Sequence, residues 1–418
     1  MPLQPLAPRH VVAVAAGNAL QFYDFVTYAF FAAQIGRAFF PSTDPTISLL
    51  ASLATFGAGF VSRPLGALVL GRLGDRIGRK PALLISFGLI GFSVVGLAFT
   101  PSYAQIGVAA PILAVSLRLV QGFAVGGEVG PSTSFLLEAA PPHRRGLYVS
   151  MQTLGGSAAA LMAGAIGVAL SRLFGPALFE AWGWRIAFLL GAAILPFGLW
   201  LRRTLPETLR APTPDEPLAT QSSTRTALLG LVVIAASTIS GYVMYYLTTY
   251  ATETLRMPAD IALGATVVVG FAGCLGSPLG GWFSDHFGRK PGMLAPWIFL
   301  LVFTLPAFLL VERERTAAVL YGATFLLSFA VDFASAAMLV GITEQLPRRV
   351  RAGTLGLIYA GAVAVFGGST QFMIAWLTRL THNPIVPAWY LMTALALATV
   401  AIVKMRETAP KLRDRKLL

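Results

Sequence analysis

The sequence predicts an all-α membrane protein of twelve transmembrane helices, built from a six-helix unit that occurs twice. Mean hydropathy is +0.71, and 56% of the 418 residues are hydrophobic while only 12% are charged, so a water-soluble fold would leave too much apolar surface exposed. Apolar stretches longer than about 18 residues, the length that crosses a bilayer, recur along the chain. The run 71–80 also returns as 281–290 with its glycine, aspartate and Arg-Lys positions in register, as expected for a duplicated membrane domain.

The apolar stretches locate the helices and the domains. We predict helices at 10–37, 46–71, 82–100, 105–137, 147–171, 184–202, 226–252, 260–282, 291–311, 316–345, 354–378 and 386–405. The first is too long for the core of a signal peptide and lacks a small-residue cleavage site, so we expect it to be retained. A polar linker rich in Pro, Ser and Thr, 203–225, separates an N-terminal bundle, 1–202, from a C-terminal bundle, 226–405. A basic cytoplasmic tail, 406–418, follows.

The formal net charge of +13 is distributed in the way that orients a membrane protein. With both termini in the cytoplasm, the cytoplasmic loops contain most of the Lys and Arg residues, which is the positive-inside bias. We therefore expect a multi-pass protein of the cell inner membrane whose basic loops contact anionic lipid headgroups. A charge spread over alternating loops argues against nucleic acid as a partner. The single cysteine, Cys274, excludes an internal disulfide.

Two further repeats support the duplication. Glu138 and Arg145 of the first half correspond to Glu344 and Arg351 of the second half, at the same spacing. The motif Tyr-Asp-Phe-Val-Thr-Tyr-Ala of the first predicted helix is answered by Tyr-Tyr-Leu-Thr-Thr-Tyr-Ala in the seventh. Matches that keep one order along both halves are not expected by chance, so the halves are predicted to share one helix arrangement.

Sequence motifs of one transporter family occur in order along the first half. They are Gly-Asn-Ala-Leu-Gln-Phe-Tyr-Asp-Phe at 17–25, Arg-Pro-Leu-Gly-Ala at 63–67, the signature around Asp75, Gln-Gly-Phe-Ala-Val-Gly-Gly-Glu at 121–128 and Gly-Trp-Arg-Ile at 183–186. On these motifs the chain resembles the major facilitator superfamily and, within it, the metabolite:proton symporter branch, which includes porters for citrate, 2-oxoglutarate, shikimate, and proline or betaine. The resemblance implies two pseudo-symmetric six-helix bundles that face each other across a central cavity. Gln21 departs from the branch, which often carries Glu there, and this weakens a coupling role at that position.

Five charged residues fall well inside the predicted helices, where each charge costs about 3 kcal/mol to insert. They are Asp24, Arg63, Arg118, Glu128 and Asp332. Arg118 lies deep in the fourth helix, in a stretch that resembles the family motif associated with proton coupling. Its guanidinium either binds a substrate carboxylate through two hydrogen bonds or forms a structural ion pair between helices.

Asp24 shares one face of the first helix with Asn18, Gln21 and Tyr28, because their spacing of three or four residues follows the helical period. Lipid would not tolerate this polar face, so it points into the cavity or against another helix. We expect Asp24 to be a protonation site or the salt-bridge partner of a buried arginine, and the two roles are compatible. Asn18, Gln21 and Tyr28 are predicted substrate contacts.

The remaining buried charges each keep two interpretations. Glu128 and Asp332 are either held by packing and pairing between helices or serve as further proton-coupling sites. Arg63 precedes Pro64, which can open the helix and free backbone carbonyls. Its side chain is therefore either a substrate anchor or the partner of a buried acid.

Tyrosines on the seventh helix are candidate substrate contacts. Tyr242 and Tyr246 belong to one helix face, and Tyr246 aligns with Asp24 through the internal repeat. A phenol donates a hydrogen bond to a carboxylate without adding charge, although plain packing would also account for both residues. Gln152 in the fifth helix is a weaker candidate.

The duplicated loop signature contains the predicted gating residues. They are Asp75, Arg76 and Arg79 in the first half, and Asp285 and Arg289 in the second. Each aspartate is expected to begin a loop, where an acid interacts favourably with the N-terminus of a neighbouring helix. The resemblance implies that these residues are latches that hold the cytoplasmic side closed when the cavity opens outward. A membrane-surface charge cluster would account for the basic residues but not for the paired aspartates.

These features favour a secondary active transporter that imports a small organic acid, citrate-like and of the di- or tricarboxylate class, with protons by alternating access. Three buried acids and two buried arginines suit an anion that travels with protons. Three alternatives stay open. They are a zwitterion or osmolyte symporter for proline or betaine, a sodium-coupled carboxylate symporter, since Asp and Asn suit both ions, and a drug–proton antiporter, against which the buried arginines argue.

Enzyme chemistry is not expected from this sequence. It contains no Walker loop, and its four histidines have no metal-ligand spacing. We therefore expect no metal and no cofactor beyond a coupling proton, with sodium as the open alternative. The predicted molecule is a monomer in the bilayer.

Overall fold

The computed structural model describes residues 8–77, 79–126, 133–134, 136–138, 140–192, 196, 224–347 and 351–409. Nearly all of these residues are helical, and no strand occurs among them. The predicted all-α class is confirmed.

In the first half, the described helices follow the predicted spans, with interruptions in three of them, the fourth span being broken at 107–108. They are α1 (Pro8–Phe30), α2 (Ala32–Phe39), α3 (Pro45–Val61), α4 (Arg63–Ile77), α5 (Arg79–Phe99), α6 (Ala109–Val125) and α7 (Arg145–Leu173), with helical backbone again at 184–192. Short turns lie between them at Tyr103–Ile106, Pro142–Arg144 and Pro176–Leu178, with a π-helical turn at Phe179–Gly183. The first predicted span is interrupted at Phe31 and the second at Ser62. The second break lies beside Pro64, which has no backbone donor to continue the helix ladder.

The second half repeats this arrangement. Its helices are α8 (Thr224–Thr249), α9 (Ala259–Phe287), α10 (Arg289–Glu314), α11 (Ala317–Gln345), α12 (Arg351–Ala362), α13 (Gly368–Thr381) and α14 (Val386–Lys404). π-Helical turns extend α8 at Tyr250–Thr254 and join α12 to α13 at Val363–Gly367. The main difference from prediction is that α9 continues to Phe287 instead of ending at 282.

Eight helical stretches among the described residues are long and apolar enough to cross a bilayer, and the shorter apolar helices Ile85–Phe99 and Ala109–Val125 add to them. Twelve spans that alternate in direction return α14 to the face from which α1 starts. We call this face the terminal face and the opposite one the far face. Each half has a hydrophobic core, one formed mostly by α1–α7 and the other mostly by α8–α14.

The two halves touch mainly along α7 with α9 and α3 with α13, and α11 also packs against α7. Glycine makes the second contact close. A Cβ atom placed on Gly57 of α3 would lie 2.8 Å from the carbonyl oxygen of Gly368 on α13, and a Cβ on Gly368 would lie 2.7 Å from the Cα of Gly57. Only two residues without side chains allow these backbones to meet.

Candidate functional site

Arg118 lies at the centre of a buried aromatic and charged cluster. Its side chain is 0% exposed on α6, and its guanidinium lies 4.4 Å from the ring centre of Phe25 and 4.5 Å from that of Tyr28. Nη1 donates to the side-chain oxygen of Gln121, whereas Nε and Nη2 have no hydrogen-bond partner in the described part of the chain. Aromatic faces thus hold the cation and leave two donor nitrogens, Nε and Nη2, available for an anion.

Arg63 brings a second cation against the same ring. It is the first residue of α4, directly after the break at Ser62, and it is buried. Its guanidinium lies 4.4 Å from the centre of Phe25 and 4.2 Å from that of Phe60. Nε again lacks a partner among the described residues. Phe25 therefore contacts two buried guanidinium groups, which makes this region strongly attractive to a negative charge.

Asp24 is 3% exposed, and both of its carboxylate oxygens are buried without a hydrogen-bond partner in the described residues. The salt bridge that we considered from the sequence, to Arg118 or Arg63, is absent from the ion pairs of the described residues. The two arginines face aromatic rings instead. Of the two sequence interpretations of Asp24, protonation is the one that stays a prediction.

The predicted polar contacts divide into two groups. Gln152 donates to the side-chain oxygen of Asn18 at 3.0 Å and accepts from the Asn18 amide through its backbone carbonyl. The side-chain oxygen of Gln152 is buried without a partner among the described residues. Tyr28 stacks with the arginine cluster and donates to the carbonyl of Ser52 at 3.3 Å. The side chain of Gln21 lies outside the described residues.

The two tyrosines of α8 lie in different places. Tyr242 packs edge-on against Phe56 and Phe60, with ring centres 5.8 and 5.5 Å apart, and so joins the second half to the cluster. Tyr246 is buried in the hydrophobic core of the second half, where packing is its observed role.

Sequence reasoning missed three residues of this cluster. Phe56 and Phe60 of α3, 5.1 Å apart between ring centres, form its aromatic wall. Gln371 of α13 is fully buried and donates to the carbonyl of Tyr242 at 3.5 Å, while its side-chain oxygen has no partner in the part of the chain that is described. The four-residue spacing of the two phenylalanines was the available signal, although such spacing is as common in plain cores.

Of the two further acids, only Asp332 can be placed, since Glu128 lies outside the described residues. Asp332 is on α11 and accepts a hydrogen bond of 2.9 Å from the hydroxyl of Ser157 on α7. It forms no ion pair with any residue that the structure describes. The buried ion pair that we considered for this residue is therefore not observed.

Asp285 connects the two halves at the terminal face. Contrary to the prediction that it begins a loop, it lies inside α9, because that helix continues to Phe287. Its carboxylate accepts hydrogen bonds from the backbone N–H groups of Gly146 and Leu147, at 2.8 and 2.9 Å, in the first turn of α7. Arg289 donates to the same carboxylate at 2.7 Å. The side chains of Asp75, Arg76 and Arg79, the corresponding residues of the first half, lie outside the described residues.

The repeated Glu and Arg residues pair crosswise between the halves. Arg351 of the second half donates to Glu138 of the first at 3.1 Å. Glu344 of the second half lies 3.8 Å from Arg145 of the first and accepts two hydrogen bonds of 3.0 Å from Arg289. The duplicated sequence motif thus produces a reciprocal pair of contacts on the terminal face.

The far face has its own ion pairs between the halves. Arg37 of α2 bonds Glu180 at 2.5 Å and reaches Glu253 of the second half at 3.4 Å. Asp44 lies 2.6 Å from Arg379 of α13. The hydrogen bond from the backbone N–H of Thr46, with a smaller contribution from Arg379, lowers the pKa of Asp44 below its usual value. We call the contact surface between the two halves the seam. Charged contacts therefore close the seam on both faces in this conformation.

Comparison with known proteins identifies the architecture. Residues 14–369 match the family model described as Major Facilitator Superfamily. The chain is 35% identical over 408 residues to the citrate-proton symporter of Salmonella typhi, covering 95% of this chain and 94% of that protein. It is 33% identical to the citrate-proton symporter of Klebsiella pneumoniae (91% and 88%) and 30% identical to the proline/betaine transporter of Escherichia coli K12 (96% and 83%).

A solved structure shares the fold. The xylose transporter XylE of E. coli, in a partially occluded inward-open conformation, superimposes with a TM-score of 0.78 over 96% of this chain and 98% of that one, at 19% identity. The predicted arrangement of two six-helix bundles is thereby confirmed.

Proposed function

Because the chain belongs to the Major Facilitator Superfamily and is a multi-pass membrane transporter, not an enzyme, we propose that it imports a small organic acid together with protons. The substrate class that we infer is a di- or tricarboxylate of the citrate type. The terminal face, with both chain ends, lies in the cytoplasm, and the membrane is a bacterial inner membrane. These assignments rest on the basic terminal-face loops and on the site described above.

One observation carries the proposal: two buried guanidinium groups that both contact Phe25 have unpartnered N–H donors, while Asp24 is the only described acid facing them. With Asp24 ionised, the cluster keeps a net charge of one positive unit, and with Asp24 protonated it keeps two. A carboxylate that binds Arg118 through its unpartnered nitrogens, Nε and Nη2, would satisfy those donors and reduce the charge.

Coupling follows from the competition between Asp24 and the substrate for positive charge. In the empty protein, the two arginines stabilise the ionised form of Asp24. When a substrate carboxylate binds Arg118, this stabilisation weakens, and burial then favours the neutral, protonated acid. Each extra proton that accompanies the anion adds about 2.3 kcal/mol of driving force per 100 mV of membrane potential. Substrate and proton thus enter together because each makes the other's binding more favourable.

The named relatives support this substrate class and also suggest one alternative. Two of them are citrate-proton symporters, whereas another is a proline/betaine transporter. Quaternary ammonium groups are usually bound by free aromatic faces. In this protein the faces of Phe25, Tyr28 and Phe60 are occupied by Arg63 and Arg118. The same two cations repel a lipophilic cationic drug. A carboxylate therefore suits the cluster better than a betaine or a drug.

The test uses purified protein in proteoliposomes with a pH gradient, with and without sodium. Citrate and other di- and tricarboxylates should raise the melting temperature and accumulate when the outside is acidic, and betaine should do neither. Asp24→Asn should still exchange internal for external substrate but lose accumulation, whereas Asp260→Asn, an exposed acid at the start of α9, should behave like the wild type. Accumulation by Asp24→Asn, or uptake that follows sodium at a clamped pH, would overturn the proposal.

A further inference from the structure

A second carboxyl inside a predicted span, that of the half-buried Asp332, lies on the boundary between the halves. Asp332 is near the middle of α11 in the second half, and its hydrogen bond of 2.9 Å comes from Ser157, near the middle of α7 in the first half. Ser157 is itself buried. The ionisable group of Asp332 thus takes part directly in a contact that must change when the halves move against each other.

A third helix closes this site. Gly273 of α9 lies so close that a Cβ there would be 2.7 Å from Oδ2 of Asp332. The hydroxyl of Ser277, one turn further along α9, is 0% exposed, has no hydrogen-bond partner within the described residues and faces the same carboxyl. The titratable groups that face Asp332 are the Cys274 thiol of α9 and the Tyr245 hydroxyl of α8. Four helices from both halves therefore meet around one acid, two serine hydroxyls, one phenol and one thiol.

This site is separate from the arginine cluster. Arg118, Arg63 and Asp24 lie on α6, α4 and α1 of the first half, whereas Asp332 contacts α7 and α9. Its neighbours supply no positive charge among the described residues, so it is not built to bind an anion. A site of this kind is suited to take up a small cation when the seam opens.

Resting on the proposed function, we propose that Asp332 is a second coupling-proton site, and that its proton controls the joint between the halves, not substrate binding. When Asp332 is ionised, Ser157 donates a charge-assisted hydrogen bond, which is roughly twice as strong as a neutral one, and the seam is held. When Oδ of Asp332 takes a proton from water, that bond weakens and the seam opens. Release of the same proton to water on the other side restores the ionised carboxylate and the contact.

The oxygen count favours a proton over a metal ion. The described site offers the Asp332 carboxylate and the hydroxyls of Ser157 and Ser277, and hard cations in proteins take about six or more oxygen ligands. A proton needs one oxygen. If Asp332 carries a proton in addition to Asp24, each substrate molecule is accompanied by one proton more than Asp24 alone would provide.

The first test measures stoichiometry. The reversal potential of substrate flux in proteoliposomes should show one proton fewer per substrate for Asp332→Asn than for the wild type, with substrate affinity unchanged within about threefold. Asp260→Asn, the exposed acid of α9, is the matched control. An unchanged stoichiometry in Asp332→Asn overturns the inference, and so does a sodium dependence of the wild type that this variant abolishes. If the wild type shows no proton coupling at all, the proposed function fails first, and the two failures are distinguishable.

The second test reads the seam itself. Cys274 is the only cysteine of the chain and is partly buried beside Asp332, so its alkylation by N-ethylmaleimide reports opening there without engineered labels. Because N-ethylmaleimide reacts with the thiolate, whose fraction falls with pH, the rate at each pH is divided by the rate of a freely accessible thiol at that pH. This ratio should rise severalfold on acidification in the wild type. In Asp332→Asn it should be high and independent of pH. Ser157→Ala, which removes the donor and keeps the acid, should be fast while retaining the wild-type stoichiometry. A wild-type pH dependence that persists in Asp332→Asn would overturn the role of this acid in the seam.

Discussion

Asp285 and Gly146 are joined by a hydrogen bond of 2.8 Å from the backbone N–H of Gly146 to the carboxylate of Asp285. The acid belongs to the second half, and the N–H belongs to the first turn of α7 in the first half. Helix N-termini have unsatisfied N–H groups and a partial positive charge, and the carboxylate satisfies both. Arg289, which is 0% exposed, fixes the carboxylate from the other side. This contact must break each time the halves part at the terminal face.

Asp285→Asn is therefore expected to change the rate of conformational exchange more than substrate binding. The amide keeps the shape of the side chain but loses its charge, and hydrogen bonds to charged groups are worth about 1.5–3 kcal/mol. We expect uptake to change by roughly tenfold, which corresponds to about 1.4 kcal/mol, with equilibrium substrate affinity within a few fold. Initial uptake rates and calorimetric binding measure the two quantities.

Glu312→Gln is the control for this prediction, since Glu312 pairs with Arg315 within a single helix end, at 3.0 Å. It should leave uptake unchanged. A large loss of affinity in Asp285→Asn, with no change in the accessibility of engineered cysteines on the terminal face, would contradict the role of Asp285 as a latch. By the repeat, Asp75→Asn is expected to slow transport in the same way.

Arg118→Lys is expected to reduce uptake by about two orders of magnitude, equivalent to about 3 kcal/mol, while leaving expression intact. A lysine ammonium keeps the charge but loses the planar group that stacks between Phe25 and Tyr28 and the pair of N–H donors that would bind a carboxylate. Uptake assays and substrate-induced thermal shifts measure the effect.

Arg185→Lys is a matched control for Arg118→Lys. Arg185 also stacks on an aromatic ring, 4.3 Å from that of Trp184, but it donates to the backbone carbonyls of Ala98 and Thr100. Its replacement should lower thermal stability and leave substrate affinity unchanged. Near-normal affinity and transport in Arg118→Lys would refute the role of Arg118 as carboxylate anchor.

The sequence predicted the helices better than the contacts between them. Apolar length and the internal repeat located the helices of the described residues, because a bilayer imposes one simple requirement on each span. The break at Ser62 followed from Pro64, but the break at Phe31 had no signal in the chain. The contact of Gly57 with Gly368 was also invisible, because a small residue shows that a helix is approached closely without showing by which helix.

For the charged residues, too, the sequence predicted burial but not the contacts between side chains. Burial of Asp24, Arg63 and Arg118 was predicted from their positions, since a charge in a membrane span must face protein. The arrangement of these three side chains was not predicted. Aromatic rings of Phe25 and Phe60 contact the guanidinium groups, for which the sequence had suggested an ion pair with Asp24. The reciprocal pairing of Glu138 with Arg351 depends on the docking of one half on the other, which a repeat within one sequence does not specify.

Gly57→Ala tests the close contact of α3 with α13. The added Cβ would lie 2.8 Å from the carbonyl oxygen of Gly368, and overpacking of this kind costs about 1–3 kcal/mol. The closed seam should be destabilised accordingly, so that transport falls roughly tenfold while substrate still binds from the far face. Single-turnover uptake and cysteine accessibility on the far face measure this shift.

Gly361→Ala provides the comparison, because no heavy atom lies within 4 Å of a Cβ at that position of α12. It should transport normally. Equal behaviour of Gly57→Ala and Gly361→Ala would show that the α3–α13 contact does not limit the cycle.

The ion pair of Asp44 with Arg379 is expected to survive the acidic exterior that would drive the proposed proton import. The backbone N–H of Thr46 donates to the Asp44 carboxylate at 2.8 Å, Arg379 lies 2.6 Å away, and together they lower the pKa of Asp44. Because its pKa is lowered, the Asp44 carboxylate contributes fully to far-face closure at any pH above the ordinary aspartate pKa of about 3.9. This contribution is lost only when the pH falls through the lowered pKa of Asp44. Asp44→Asn should therefore raise the accessibility of far-face cysteines by the same factor at every pH between about 7 and 5.

Glu314→Gln, which removes an exposed pair with the adjacent Arg313, should have no effect. If wild type and Asp44→Asn become equal in far-face cysteine accessibility within that pH range, the Asp44 carboxylate titrates there. The far-face ion pair would then act as a pH-sensitive gate, not as a contact that is independent of pH.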